Sequence, residues 1–135
     1  MVFQVIIGGG APLASNVHDF LRTTLDVTLA QGYGLTETTG GISLSTKNDL
    51  SVARVGLPLP EVKLKLKDWP EGGYFVKDTI ESGPCGEIFI GGPMIAQGYY
   101  NHYETPDFYV DPNDGQKWFQ TGDIGQIDPK DGVLR

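Results

Sequence analysis

Val5-Ile6-Ile7-Gly8-Gly9-Gly10-Ala11-Pro12 sets three strand-forming residues directly against three glycines and a proline. Branched apolar side chains fit a pleated, buried surface, and the glycines end it. Met1 to Ile7 therefore reads as a short buried strand. Ser15 or Asn16 can cap a following helix, whose apolar residues Val17, Phe20, Leu21 and Leu25 fall on a single stripe. Val27, Leu29 and the residues to Gln31 read as a second strand. Strand, glycine turn, helix, strand is a βαβ unit, and it implies a parallel sheet covered by helices.

Beyond Glu37 the pattern changes. Thr38 to Ser51 is small and polar and reads as loop, and from Val55 onward the signals are all β. Glu61-Val62-Lys63-Leu64-Lys65-Leu66-Lys67 alternates strictly, with Val62, Leu64 and Leu66 inward and the lysines outward. Gly86 to Ile90 is another strand. Trp118 to Gln120 and Ile124 to Ile127 flank Thr121-Gly122-Asp123, with Trp118 and Phe119 in the core. Pro129-Lys130-Asp131-Gly132 is a turn. The fold class is thus α/β, with a composition boundary near residues 40–55. Residues 1–50 read as the end of a βαβ parallel-sheet subdomain, and residues 51–135 as a small β-rich subdomain, a distorted β-barrel. Both ends read as cut from a larger fold.

The composition bounds the chemistry. At 135 residues, 39% hydrophobic and 20% charged, the chain is globular and long enough to bury a core. A net charge of -7 argues against nucleic acid and against an anionic membrane surface. The single cysteine, Cys85, excludes an intrachain disulfide and, with no base beside it, reads as a small incidental side chain. His18 and His102 are too few and too far apart for a metal centre. His18 is expected on the solvated face of the helix and His102 at the surface.

Gln31-Gly32-Tyr33-Gly34-Leu35-Thr36-Glu37 carries the densest chemistry. The Tyr33 ring can stack on a purine, and the flanking glycines allow close approach. Thr36 can donate to a phosphate oxygen. Glu37 is a hard oxygen ligand suited to magnesium, which takes one or two carboxylates beside substrate phosphates. A tight turn with a surface glutamate is the plainer alternative. Gly8 to Ala11 would expose backbone amides at a helix start, a place for a base edge or an anion. Taken alone, those residues are better explained by a strand-to-helix turn, since neither the Walker nor the dinucleotide spacing is present. Asp123 at a strand end can accept from both ribose hydroxyls or form an Asx turn.

These segments, in this order, resemble the adenylate-forming enzymes: acyl-CoA synthetases, luciferases and peptide-synthetase adenylation domains. Gln31 to Glu37 resembles their adenine and magnesium motif. Gly86-Glu87-Ile88 with Ala96-Gln97-Gly98-Tyr99-Tyr100-Asn101 resembles the next motif, and Thr121-Gly122-Asp123 the ribose motif. Lys65 to Phe75 and Asp123 to Gly132 resemble eukaryotic long-chain fatty acid–CoA ligases, nearest the animal group that prefers polyunsaturated chains such as arachidonate. The resemblance implies ATP, Mg²⁺ and coenzyme A, a long-chain fatty acid substrate, and two steps through an acyl-adenylate. It places Gly10 and Ala11 along adenine, with Gln31, Gly32, Tyr33 and Gly34 around the nucleotide. Thr36 would lie on the α-phosphate, Glu37 on magnesium and Asp123 on the ribose. Thr36 and Glu37 would be the catalytic pair, and Gly32, Gly34 and Leu35 would border the acyl tunnel.

The resemblance further implies that residues 1–50 belong to the nucleotide- and acyl-binding subdomain and that residues 51–135 stop before a hinge and a C-terminal domain. The phosphate loop with its lysine, the hinge and the C-terminal lysine are not in this chain, so it is expected to lack ligase activity alone. Such enzymes sit at the cytosolic face of the endoplasmic reticulum, mitochondrial outer membrane, peroxisome or lipid droplet, through anchors outside this chain. Another adenylate-forming enzyme, a non-catalytic interaction module and a nucleotide sensor are the rival readings.

Overall fold

The computed structural model describes residues 4–79, 83–102 and 105–135. Met1 to Phe3, the start of the expected first strand, lie outside the described residues. Strand β1 (Val5–Gly8) runs parallel to β2 (Thr28–Leu35), joined by helix α1 (Ser15–Leu25). The expected βαβ unit is therefore present. Two details differ. Ala14 occupies the N-cap position, and no side chain caps the helix. The apolar stripe also faces outward: Val17, Phe20 and Leu25 are exposed, and Phe20 is 64% accessible. His18 turns inward instead, onto β2, and is 2% exposed. Helical periodicity defines a stripe, but which neighbour it meets is a tertiary matter.

The expected burial of β1 is corrected as well. Val5 and Ile7 are 45% and 64% exposed. Among the described residues β1 is an edge strand with β2 as its one neighbour.

β2 continues past Gln31 through the whole Gly32-Tyr33-Gly34-Leu35 motif and pairs antiparallel with β3 (Gly40–Leu44). A short β4 (Leu57–Pro58) completes this first sheet. β3 overturns the expected loop over Thr38 to Ser51. Its small residues pack closely, and Ile42 is 1% exposed at its centre. The second sheet has the order β5 (Lys63–Lys67), β6 (Cys85–Gly91), β8 (Lys117–Gln126), β7 (Phe108–Val110), antiparallel throughout. The expected small β-rich subdomain is present, and among the described residues it is an open four-stranded sheet rather than a closed barrel. β8 is one strand rather than two segments around Thr121-Gly122-Asp123.

Ile42, Ile88, Ile90, Ile95, Phe119 and Leu134 form the central cluster, and Val62, Leu64 and Leu66 pack against it as their alternation requires. Each such burial contributes on the order of 1.5–3 kcal/mol. Trp118 and Phe119 are buried as expected, and the Lys65 ammonium sits 3.6 Å over the Trp118 ring. Leu134 fastens the two sheets. Val55 N–H donates to its carbonyl at 2.9 Å, and its own N–H donates to Gly56 at 3.0 Å. The 129–132 turn forms as expected, closed by Gly132 N–H to the Asp128 carbonyl at 2.8 Å.

Candidate functional site

Two β-bulges aim the principal side chains. In β2 the register against β3 shifts between Tyr33 and Gly34. In β8 the pairs Glu87 with Ile124 and Phe89 with Gln120 leave Thr121, Gly122 and Asp123 opposite Ile88 alone. Gly122 takes φ +75°, and Thr121 Oγ1 donates to the Ile88 carbonyl at 2.8 Å. Bulges re-aim side chains and concentrate beside functional sites. Here they bring the Tyr33 hydroxyl to Asp123 Oδ2, a hydrogen bond of 2.5 Å.

The glycine turn lies beside the same strand. Gly8 pairs with Gln31, and a Cβ on Gly9 would stand 3.3 Å from the Gly32 carbonyl. Gly10, Ala11, Gln31, Gly32, Tyr33, Gly34 and Asp123 consequently line one cavity of about 420 Å³. A second cavity of about 700 Å³ shares Gly10 and Gly32 to Leu35 and adds Ile7, Leu44, Leu59 and Thr36.

Thr36 and Glu37 occupy a 3₁₀ turn, Thr36–Thr38, directly after β2. The buried Thr38 hydroxyl accepts from Leu35 N–H at 3.0 Å and lies 2.9 Å from the Gly40 carbonyl, which fixes the turn. The Glu37 carboxylate accepts the Tyr99 hydroxyl at 2.5 Å. No group of three or more metal-ligating side chains exists among the described residues. One carboxylate with a neighbouring threonine hydroxyl fits magnesium held largely by substrate phosphates and water, rather than a protein cage.

Gln31 lines the smaller cavity, while its side-chain amide lies 2.8 Å from His18 Nδ1. The expected solvated His18 is thus corrected: it supports β2 from behind. His102 is exposed as expected. Sequence reasoning assigned no role to Tyr99 or Thr38. It also gave the expected site no cation, whereas Arg135 lines the smaller cavity and pairs with Asp128. Tyr99 gave no local signal because its partner Glu37 lies 62 positions away, whereas the partners of Thr38 are two and three positions off.

Both hydroxyl–carboxylate pairs shift the phenols. The hydrogen bond to Glu37, with some burial, pushes Tyr99 up to about 12. Burial first, and Asp123 second, push Tyr33 up as well. A folded value above the unfolded one favours the protonated, folded form. The stability that Tyr99 contributes is complete below its ordinary value of 10.0 and is lost as pH rises through about 12. Phenolate absorbance should therefore show late-ionising tyrosines, and Tyr33→Phe and Tyr99→Phe should each remove one. Ionisation of both at the ordinary value would contradict these contacts.

The AMP-binding enzyme family matches residues 2–100. The chain belongs to that family. Among AMP-binding relatives, long chain acyl-CoA synthetase 8 of Arabidopsis thaliana is 44% identical over 132 residues, 97% of this chain and 18% of the relative. Long chain acyl-CoA synthetase 3 of the same plant is 40% identical over 98% of this chain and 19% of its own length. The chain thus spans about a fifth of the curated relatives it matches. Solved AMP-binding structures agree in fold. A long-chain-fatty-acid-CoA ligase from Archaeoglobus fulgidus superposes with a TM-score of 0.74 at 27% identity, over 98% of this chain and 27% of that one. ATP-bound MatB from Rhodopseudomonas palustris gives 0.73 at 30% identity, over 96% of this chain and 24% of that one.

Proposed function

We propose that this chain is the nucleotide-binding part of a long-chain fatty acid–CoA ligase of the AMP-forming type. A fatty acid carboxylate attacks the α-phosphate of ATP, giving acyl-adenylate and pyrophosphate. The thiol of coenzyme A then displaces AMP to form the thioester. The observation that carries this reading is the meeting of Tyr33, Asp123 and the glycine turn around one cavity. A planar base fits between the Tyr33 ring and the turn at Gly10 and Ala11. Asp123, with Oδ2 engaged by Tyr33, offers Oδ1 to the ribose hydroxyls. Thr36 donates to the α-phosphate. Glu37 would hold magnesium, which when bound neutralises phosphate charge.

The larger cavity, with Ile7, Leu35, Leu44 and Leu59 in its wall, supports an apolar acyl chain lying beside Gly32 and Gly34. Catalysis in this scheme is positioning plus stabilisation of charge at phosphorus. The chain alone would bind nucleotide weakly, on the order of millimolar. Within the whole enzyme it would work at the cytosolic face of an intracellular membrane. Among the described residues no helix is long and apolar enough to cross one.

The test grafts this chain in place of the matching segment of the Arabidopsis thaliana synthetase 8 and follows fatty-acid-dependent pyrophosphate release from ATP. Glu37→Gln and Asp123→Ala should each lower kcat/KM by about tenfold or more, corresponding to ~1.4 kcal/mol of lost transition-state stabilisation. Rates within about threefold of the unaltered graft for both would defeat the assigned roles.

A further inference from the structure

We propose that the segment 94–99 is a clamp that orients the Glu37 carboxylate, with Tyr99 and Lys117 as its positioning residues. The proposal rests on the reading of Glu37 as the metal-holding group. Three contacts join the segment to the turn that carries Glu37. Ala96 N–H donates to the Glu37 carbonyl at 2.8 Å, and Thr39 Oγ1 donates to the Met94 carbonyl at 3.1 Å. The Tyr99 hydroxyl donates to Glu37 Oε1 at 2.5 Å. The backbone contact sets where Glu37 begins. The phenol sets where its carboxylate ends, and leaves Oε2 as the oxygen for a ligand. A hydrogen bond to an ionised acceptor is short and strong, so it restrains the carboxylate's rotamer.

The clamp is braced from β7 and β8. Lys117 Nζ donates to the carbonyls of Ala96 and Gln97 at 2.7 and 2.9 Å. Two of the three ammonium donors are thereby fixed on the segment. Phe108 of β7 meets the Tyr99 ring edge-on, with centroids 5.5 Å apart, and itself packs on Phe119 of β8. β8 also carries Asp123. One strand therefore holds both the ribose-directed carboxylate and the anchor of the clamp, and sets Glu37 and Asp123 in a fixed relation. Pre-orientation of this kind matters most where few protein groups hold the ion, and among the described residues no group of three or more ligating side chains exists.

Two measurements test this. In the chain itself, a crystal structure should show the Tyr99 hydroxyl on the Glu37 carboxylate; a Tyr99 ring turned away from Glu37 overturns the clamp. In the synthetase graft, Tyr99→Phe and Lys117→Met should raise the magnesium concentration for half-maximal pyrophosphate release by about tenfold, with a much smaller fall in the rate at saturating magnesium. Asp123→Ala should raise the KM for ATP without moving the magnesium half-saturation. Loss of rate with unchanged magnesium half-saturation in both clamp variants also overturns the proposal, while leaving the ligase reading intact. A graft that releases no pyrophosphate with native residues counts against the ligase reading, and the crystal structure then decides the clamp alone.

Discussion

Gly34→Ala should destabilise the chain by about 3 kcal/mol or more and open both cavities. A Cβ at Gly34 would stand 2.0 Å from the Gly40 carbonyl oxygen and 2.7 Å from both the Gly40 carbonyl carbon and the Gly41 Cα. All three atoms are backbone, so no rotamer change relieves the overlap. Overpacking against side chains costs about 1–3 kcal/mol, and backbone overlap lies at or above that range. Either β2 and β3 separate at the bulge, or β2 twists and carries Tyr33 away from Asp123. Urea denaturation measures the first result, and disappearance of the late Tyr33 phenolate reports the second. Gly41→Ala is the control, because a Cβ there meets nothing within 4 Å. Equal stability of the two variants would show that the close approach of the strands is not maintained.

Leu134→Ala should cost about 2–5 kcal/mol, the range for emptying a fully buried leucine site. Leu134 is 0% exposed, belongs to the central cluster and lines the smaller cavity. Its backbone also pairs with Val55 and Gly56, so relaxation toward the void would pull on the seam between the sheets. A domain's whole stability is about 5–15 kcal/mol, so this one truncation removes a large share of it. Leu50→Ala, at a side chain 67% exposed, should stay within about 0.5 kcal/mol. Thermal unfolding of the two variants gives the comparison, and a Leu134→Ala melt matching that of Leu50→Ala would refute the seam.

The parts of the fold legible in the sequence are those fixed by near neighbours. Val5 to Pro12 announces a strand and its end, and Glu61 to Lys67 alternates because one face is dry. β3 was not legible: Gly40-Gly41-Ile42-Ser43-Leu44 offers two apolar residues among small polar ones, and its strand character comes from β2 alongside. The orientation of α1 was hidden for a related reason. His18 is drawn inward by the Gln31 amide, a partner outside the helix. The residues proposed to hold the nucleotide came from the order of their motifs, which the family likeness supplied. The bond between Tyr33 and Asp123 was not legible, since the two lie 90 positions apart. Tyr99 stood in a quoted motif without a role, because its use depends on where Glu37 points.

That separation has a consequence during translation. A ribosome adds about 5–20 residues per second, so Asp123 follows Tyr33 by roughly 5–20 s. Throughout that interval the Tyr33 hydroxyl has no Asp123 carboxylate to meet. Both neighbours of β2 are made by then, β1 before it and β3 directly after it, so the first sheet can form while its tyrosine still waits for β8.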